Sequence, residues 1–175
     1  TASFVLTGIV LLGGCAAQGA ANGPASAAST TFHAPQAGER HLGRLRQLTF
    51  GGNNAEAYFS ADGKWITFQP QQAVDAGRDP QFSMKTNRSA LKQISNGLGR
   101  TTCGYFIEKD QRIIFSSTFR DDPACPVPPD RAQGYVWPLG RFELFTVKRD
   151  GTDLKQLTNT GSYNAEATVS RDGKR

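Results

Sequence analysis

Residues 45–68, LRQLTFGGNNAEAYFSADGKWITF, decide the fold. The stretch opens with a leucine, a basic residue, a glutamine, an aliphatic residue and a threonine. A glycine-containing loop follows, then a short run, a polar turn at Ser60-Ala61-Asp62-Gly63, and a second run in which Trp65 and Thr67 alternate with Ile66 and Phe68. Alternation with period two marks a strand with two distinct faces. An Asp-Gly pair supplies the positive φ that a tight hairpin needs. The same succession returns at residues 91–115, LKQISNGLGRTTCGYFIEKDQRIIF, and at residues 154–175, LKQLTNTGSYNAEATVSRDGKR. Glu56-Ala57-Tyr58-Phe59 therefore corresponds to Cys103-Gly104-Tyr105-Phe106 and to Glu166-Ala167-Thr168-Val169.

Working outward, a third strand is expected before each later LKQ segment, over residues 81–86 and 142–148. Arg149-Asp150-Gly151 turns the second of these into residues 154–158. One unit is then four antiparallel strands. Residues 55–95 make one complete unit and residues 102–158 a second, longer one. Four-stranded units repeating at this scale are propeller blades. The expected fold is all-β, a β-propeller of about two complete blades plus part of a third. The third repeat stops at Arg175, where the earlier repeats enter their second strand at Trp65 and Arg112, so the sequence reads as a fragment with open sheet edges.

Composition agrees. Glycine and proline number 19 and 9, and phenylalanine 11, which suits short strands and turns better than a helical bundle. The formal net charge is +5, but acidic and basic residues are mixed from Glu39 onward, without a run of Lys or Arg. No basic stripe for nucleic acid is visible.

The segments FSADGKWITF, ELFTVKRDGTDLKQLT and AEATVSRDGKR resemble the TolB-type β-propeller repeat, and the resemblance covers residues 45–175. Two departures stand out. Glu108-Lys109-Asp110-Gln111 replaces the S-x-D-G turn in the second unit, so its hairpin must differ. TolB also has an N-terminal α/β domain, for which the short tether is expected to leave no room. The resemblance implies a non-enzymatic, protein-binding scaffold of the bacterial envelope that uses one face of the disc. Two other readings stay open: the N-terminal propeller of a longer hydrolase of the prolyl-oligopeptidase type, or a carbohydrate- or small-molecule-binding propeller. No H-E-x-x-H, G-x-S-x-G or Walker motif occurs, and the only histidines are His33 and His41, so no catalytic residue, metal or cofactor is expected.

Residues 4–12 are an apolar run too short to span a bilayer, which fits the hydrophobic region of a secretory signal. Leu12-Gly13-Gly14-Cys15 after it resembles a lipobox, which implies cleavage before Cys15 and lipid on that residue. Ala16 next to it matches the pattern of outer-membrane sorting. The expected organisation is a signal peptide over residues 1–15 that lacks its basic start, a flexible tether over 16–44, and propeller repeats over 45–175. The expected location is the periplasmic side of the outer membrane.

Glu56 and Glu166 occupy equivalent inner-strand positions, which in a propeller lie near the mouth of the central channel. They are read either as an acidic ring facing a basic partner group or as structural carboxylates at the blade junction. Residues 119–140, FRDDPACPVPPDRAQGYVWPLG, interrupt the second unit and hold five of the nine prolines. Long connections of this kind are functional or disordered. Arg131, Tyr135 and Trp137 are the residue types that dominate interface hot spots, although the two aromatics would equally serve as plugs on a blade face. Asp121, Asp122 and Asp130 match no calcium loop and read as solvated carboxylates. With Cys15 carrying lipid, Cys103 and Cys125 are the pair available for a disulfide in an oxidising compartment. Such a bridge would tie the proline-rich loop to the disc; the alternative is a buried Cys103 packing as a small hydrophobe.

Overall fold

The computed structural model describes residues 32–71, 79–124, 130, 132–170 and 172–175. The described residues form two four-stranded antiparallel sheets. The first consists of β1 (Asn53–Phe59), β2 (Trp65–Gln71), β3 (Phe82–Lys85) and β4 (Lys92–Gln93), side by side in chain order. The second repeats the arrangement with β5 (Thr101–Ile107), β6 (Arg112–Ser117), β7 (Glu143–Lys148) and β8 (Lys155–Gln156). These are the two expected blades. The third repeat contributes β8 to the second blade, and its remaining described residues, 157–170 and 172–175, form no strand.

The turns show why the repeat recurs. In the first blade, Ser60 Oγ donates to Asp62 Oδ1 at 2.7 Å, and the same carboxylate oxygen accepts from the Lys64 N–H at 3.0 Å. The Trp65 N–H donates to Ser60 Oγ at 2.9 Å. The third repeat has the same bonds from Ser170 to Asp172 (2.7 Å), Lys174 to Asp172 (3.1 Å) and Arg175 to Ser170 (2.9 Å). Among the described residues of both turns the positive φ falls on the glycine, 67° at Gly63 and 70° at Gly173. The Asp-Gly pair thus supplies the expected positive φ through its glycine, and the aspartate adds a carboxylate anchor.

The L-x-Q-x-S/T segments make shorter outer strands than expected, two residues each. The glutamine side chain folds onto its own chain, donating to the carbonyl two residues on, at Gln47–Thr49 (2.8 Å), Gln93–Ser95 (3.2 Å) and Gln156–Thr158 (2.7 Å). The hydroxyls of Ser95 and Thr158 then accept from the backbone N–H of Gln81 and Leu144, at 3.0 and 2.8 Å, closing each blade.

The blades pack face to face. Ile113, Phe115, Phe145 and Val147 of the second blade form one buried cluster with Ile94 of the first, and Trp65 packs against it. Ile66, Phe68 and Met84 line the other face of the first blade with Leu48 and Phe82. Polar groups also cross the junction. Gln69 Nε2 donates to the Thr101 carbonyl at 2.5 Å, and Ser83 Oγ to the Arg149 carbonyl at 3.2 Å. The departure at residues 108–111 acquires a reason here. Glu108, Lys109 and Asp110 all have positive φ (50°, 53° and 66°), which turns the Asp110 carboxylate onto the neighbouring blade. It accepts from the Ala61 and Asp62 N–H groups, at 2.8 and 3.2 Å, and so caps the hairpin of the first blade.

Part of the expected tether is tied down. The His33 N–H donates to the Leu45 carbonyl at 2.8 Å, and Glu39 caps the N–H groups of His41 and Leu42.

Candidate functional site at the inner strands

The inner strand of each blade carries the same irregularity. In β1, Ala55 pairs with Gln69 and Tyr58 with Thr67, so Glu56 and Ala57 together oppose Phe68. In β5, Thr102 pairs with Ser116 and Tyr105 with Ile114, so Cys103 and Gly104 together oppose Phe115. Each is a β-bulge, the usual device for re-aiming a side chain beside a site. The first bulge residue has positive φ, 48° at Glu56 and 53° at Cys103, and Glu166 at the equivalent place in the third repeat has 60°. None of the three is glycine, which is the residue this conformation favours.

The bulges bring their side chains together. Cys103 Sγ lies 4.0 Å from Glu56 Oε2, and the Tyr58 hydroxyl donates to the same oxygen at 2.8 Å. Tyr58 and Tyr105 meet edge to face with centroids 6.0 Å apart. The hydrogen bond to Glu56, then burial, then the charges of Glu56 and Glu166 push the Tyr58 phenol up to about 12. Burial, joined by the charges of Glu56 and Glu166 and opposed by the Thr102 contact, raises the Cys103 thiol above its ordinary value. Cys103 is thus a neutral thiol at physiological pH, whereas a nucleophilic cysteine needs the opposite shift. Among the described residues neither glutamate is in an ion pair, and no group of three His, Cys, Asp or Glu side chains is placed to hold a metal.

Tyr58 and Tyr105 were not singled out from the sequence as site residues. Their signal is present, since both follow the bulge at the same repeat position.

The long connection of the second blade contributes differently at its two aromatics. Trp137 is half-buried. It lies over the Arg100 guanidinium at 4.2 Å, packs on Phe142, and donates from Nε1 to the Tyr163 hydroxyl at 3.2 Å. Arg100 is itself paired with Asp79 at 2.8 Å. Trp137 thus packs onto the second blade, whereas Tyr135 is 73% exposed. Asp121 pairs with Arg141 at 3.0 Å, and Asp122 and Asp130 cap the N–H groups of Ala124 and Ala132. Cys103 is a free thiol among the described residues. Cys125, Arg131 and the lipobox cysteine Cys15 lie outside the described residues.

No protein-family model matches the sequence, and neither does any curated protein. Solved structures do. The chain is similar to TolB from Acinetobacter baumannii, with 26% identity and a TM-score of 0.50 over 71% of this chain and 26% of that one. It is similar to the putative TolB from Agrobacterium tumefaciens, with 20% identity and a TM-score of 0.50 over 75% of this chain and 43% of that one. It thus spans less than half the length of either structure. With two face-packed, four-stranded blades and these neighbours, the chain has a TolB-like fold, an all-β partial propeller.

Proposed function

We propose that this chain is a non-enzymatic envelope lipoprotein, held through Cys15 on the periplasmic side of the outer membrane. Its propeller binds a protein partner at the channel mouth. The observation that carries the reading is the repeated bulge. Backbone strain persists where the surrounding structure enforces it and clusters at functional sites. Here it is kept at Glu56, Cys103 and Glu166, three equivalent non-glycine positions. The partner presents a lysine or arginine to the carboxylates of Glu56 and Glu166, with its stem against Tyr58 and Tyr105. Tyr135, and Arg131 beside it in sequence, offer a second contact on the long loop. The likeness to TolB supports the envelope location, and a neutral thiol in place of a nucleophile supports a binding role over a catalytic one.

In-cell photocrosslinking tests this. A photoreactive phenylalanine replacing Tyr105 is expected to trap a partner, and the same residue replacing Lys155 on the outer strand is not. Glu56→Gln combined with Glu166→Gln should abolish the adduct. An adduct that survives the double change, or equal adducts at both places, refutes the reading. The anchor is tested separately by palmitate labelling, which Cys15→Ser should remove.

A further inference from the structure

The segment entering the first blade carries cations that are in no ion pair among the described residues. Arg44 and Arg46 share one aromatic ring, their guanidinium carbons 4.3 and 6.0 Å from the centroid of Phe32. Arg46 also donates to the Thr86 carbonyl at 2.5 Å, which sets it against the β3–β4 turn. That turn brings in Arg88, which lies 4.4 Å over the ring of Phe50, whereas Lys85 turns its ammonium over Trp65 at 5.7 Å. Arg44, Arg46 and Arg88 thus gather beside the β3–β4 turn of the first blade. Among the described residues none of them is in an ion pair, although other cations of the chain are paired. The rings that hold them are open to solvent, Phe32 at 45% and Phe50 at 59% exposure.

Unpaired cations interleaved with exposed rings are what an anionic bilayer surface takes up. The cations meet lipid phosphates, and the aromatic groups enter the headgroup region. Position supports that occupant. Phe32 follows Cys15 by 17 residues, which span about 60 Å at most when fully extended. Resting on the lipoprotein reading above, we propose that Arg44, Arg46 and Arg88, with Phe32 and Phe50, form a membrane-facing surface. It binds anionic phospholipid headgroups and lays the rim of the first blade against the bilayer.

The test uses the full-length protein carrying Cys15→Ser, so that acylation contributes nothing, and vesicle flotation as the readout. Binding is expected to vesicles of phosphatidylcholine mixed with phosphatidylglycerol, and not to phosphatidylcholine alone. It should weaken steeply with added salt, since exposed charges are screened. Each single change of these arginines to glutamine should lower the partition coefficient about fivefold, and the three together on the order of a hundredfold. Lys155→Gln removes one positive charge elsewhere and should change it little. The neutralised protein must keep the wild-type circular dichroism spectrum. If its binding is unchanged, if Lys155→Gln weakens binding as much as Arg44→Gln, or if no vesicle is bound at low salt, the proposal fails. Palmitate labelling of the protein with Cys15 intact reports on the anchor independently. A labelled protein whose Cys15→Ser form ignores vesicles rejects the patch and keeps the lipoprotein.

Discussion

Replacing Glu56, Cys103 or Glu166 by glycine is expected to give a more stable protein than replacing the same residue by alanine. At an ordinary strand position the order is the reverse. The three sites have φ of 48°, 53° and 60°. That left-handed region costs an L-residue about 1–2 kcal/mol and costs glycine nothing comparable. Glycine in turn loses about 0.5–1 kcal/mol more chain entropy on folding. The balance favours glycine over alanine by about 0.5–1 kcal/mol at each site. Comparing the two substitutions cancels what both remove, including the Tyr58 bond to Glu56 and the Cys103–Glu56 contact. Ala57, the second residue of the first bulge, has no positive φ and is the internal control. There Ala57→Gly should cost about 0.5–1 kcal/mol. Urea unfolding midpoints at constant slope read the difference, and a 1 kcal/mol gap corresponds to about 2–4 °C in melting temperature for a domain of this size. Glu56 and Cys103 touch, so their effects need not add. If alanine equals or exceeds glycine at all three positions, the bulges are not strained. The argument that strain has been retained there for binding then falls with them. If glycine wins, the Glu56→Gly protein should still lose the photocrosslinked partner, showing that strain is traded for the carboxylate.

Three further outcomes follow from the same geometry. Tyr58 has a folded-state pKa of about 12 against an ordinary 10.0, so its contribution to stability is complete below about pH 10 and is lost as pH rises towards 12. Glu56→Gln removes the leading cause, and phenolate absorbance should then show one fewer late-titrating tyrosine. Asp110→Ala strips the cap from two backbone N–H groups and should cost about 3 kcal/mol in urea unfolding. The exposed pair partner Asp121, changed to alanine, should cost under about 1 kcal/mol. Gly104→Ala would place its Cβ 2.3 Å from Gln81 Nε2, and Gln81 is fully buried and bonded to Thr67 Oγ1 at 2.7 Å. It should lose about 1–3 kcal/mol by the same assay, whereas Gly43→Ala, with nothing within 4 Å, should be neutral.

Much of the blade was legible because its signals are local. Ser60 and Asp62 close a hairpin through bonds spanning five residues, and the same letters at Ser170 and Asp172 close the same hairpin. Gln93 and Ser95 act within three residues of each other, and so do Gln156 and Thr158. The blade junction was not legible. Asp110 acts on residues 48 and 49 positions away, and a sequence shows only that its turn departs from the repeat. Trp137 reaches Tyr163 across 26 residues, so the choice between plug and contact needed the three-dimensional placement of both.

The candidate site was hidden for a different reason, and the reason bears on what it does. A period-two reading of Ala55-Glu56-Ala57-Tyr58-Phe59 puts Ala55, Ala57 and Phe59 on one face. The pairing shows otherwise. Ala55 and Tyr58 face Gln69 and Thr67, which are two residues apart and share a face, so Tyr58 returns to the side of Ala55. One extra residue reverses the parity of everything beyond it. Glycine in the first bulge position would have announced this in the sequence, as it does at Gly63 and Gly173. Glutamate and cysteine do not announce it, because alternation gives no weight to a residue forced into the left-handed region. A structural need for the bulge alone would be met more cheaply by glycine. Retaining Glu56, Cys103 and Glu166 therefore points to the side chains themselves, and two of the three are carboxylates.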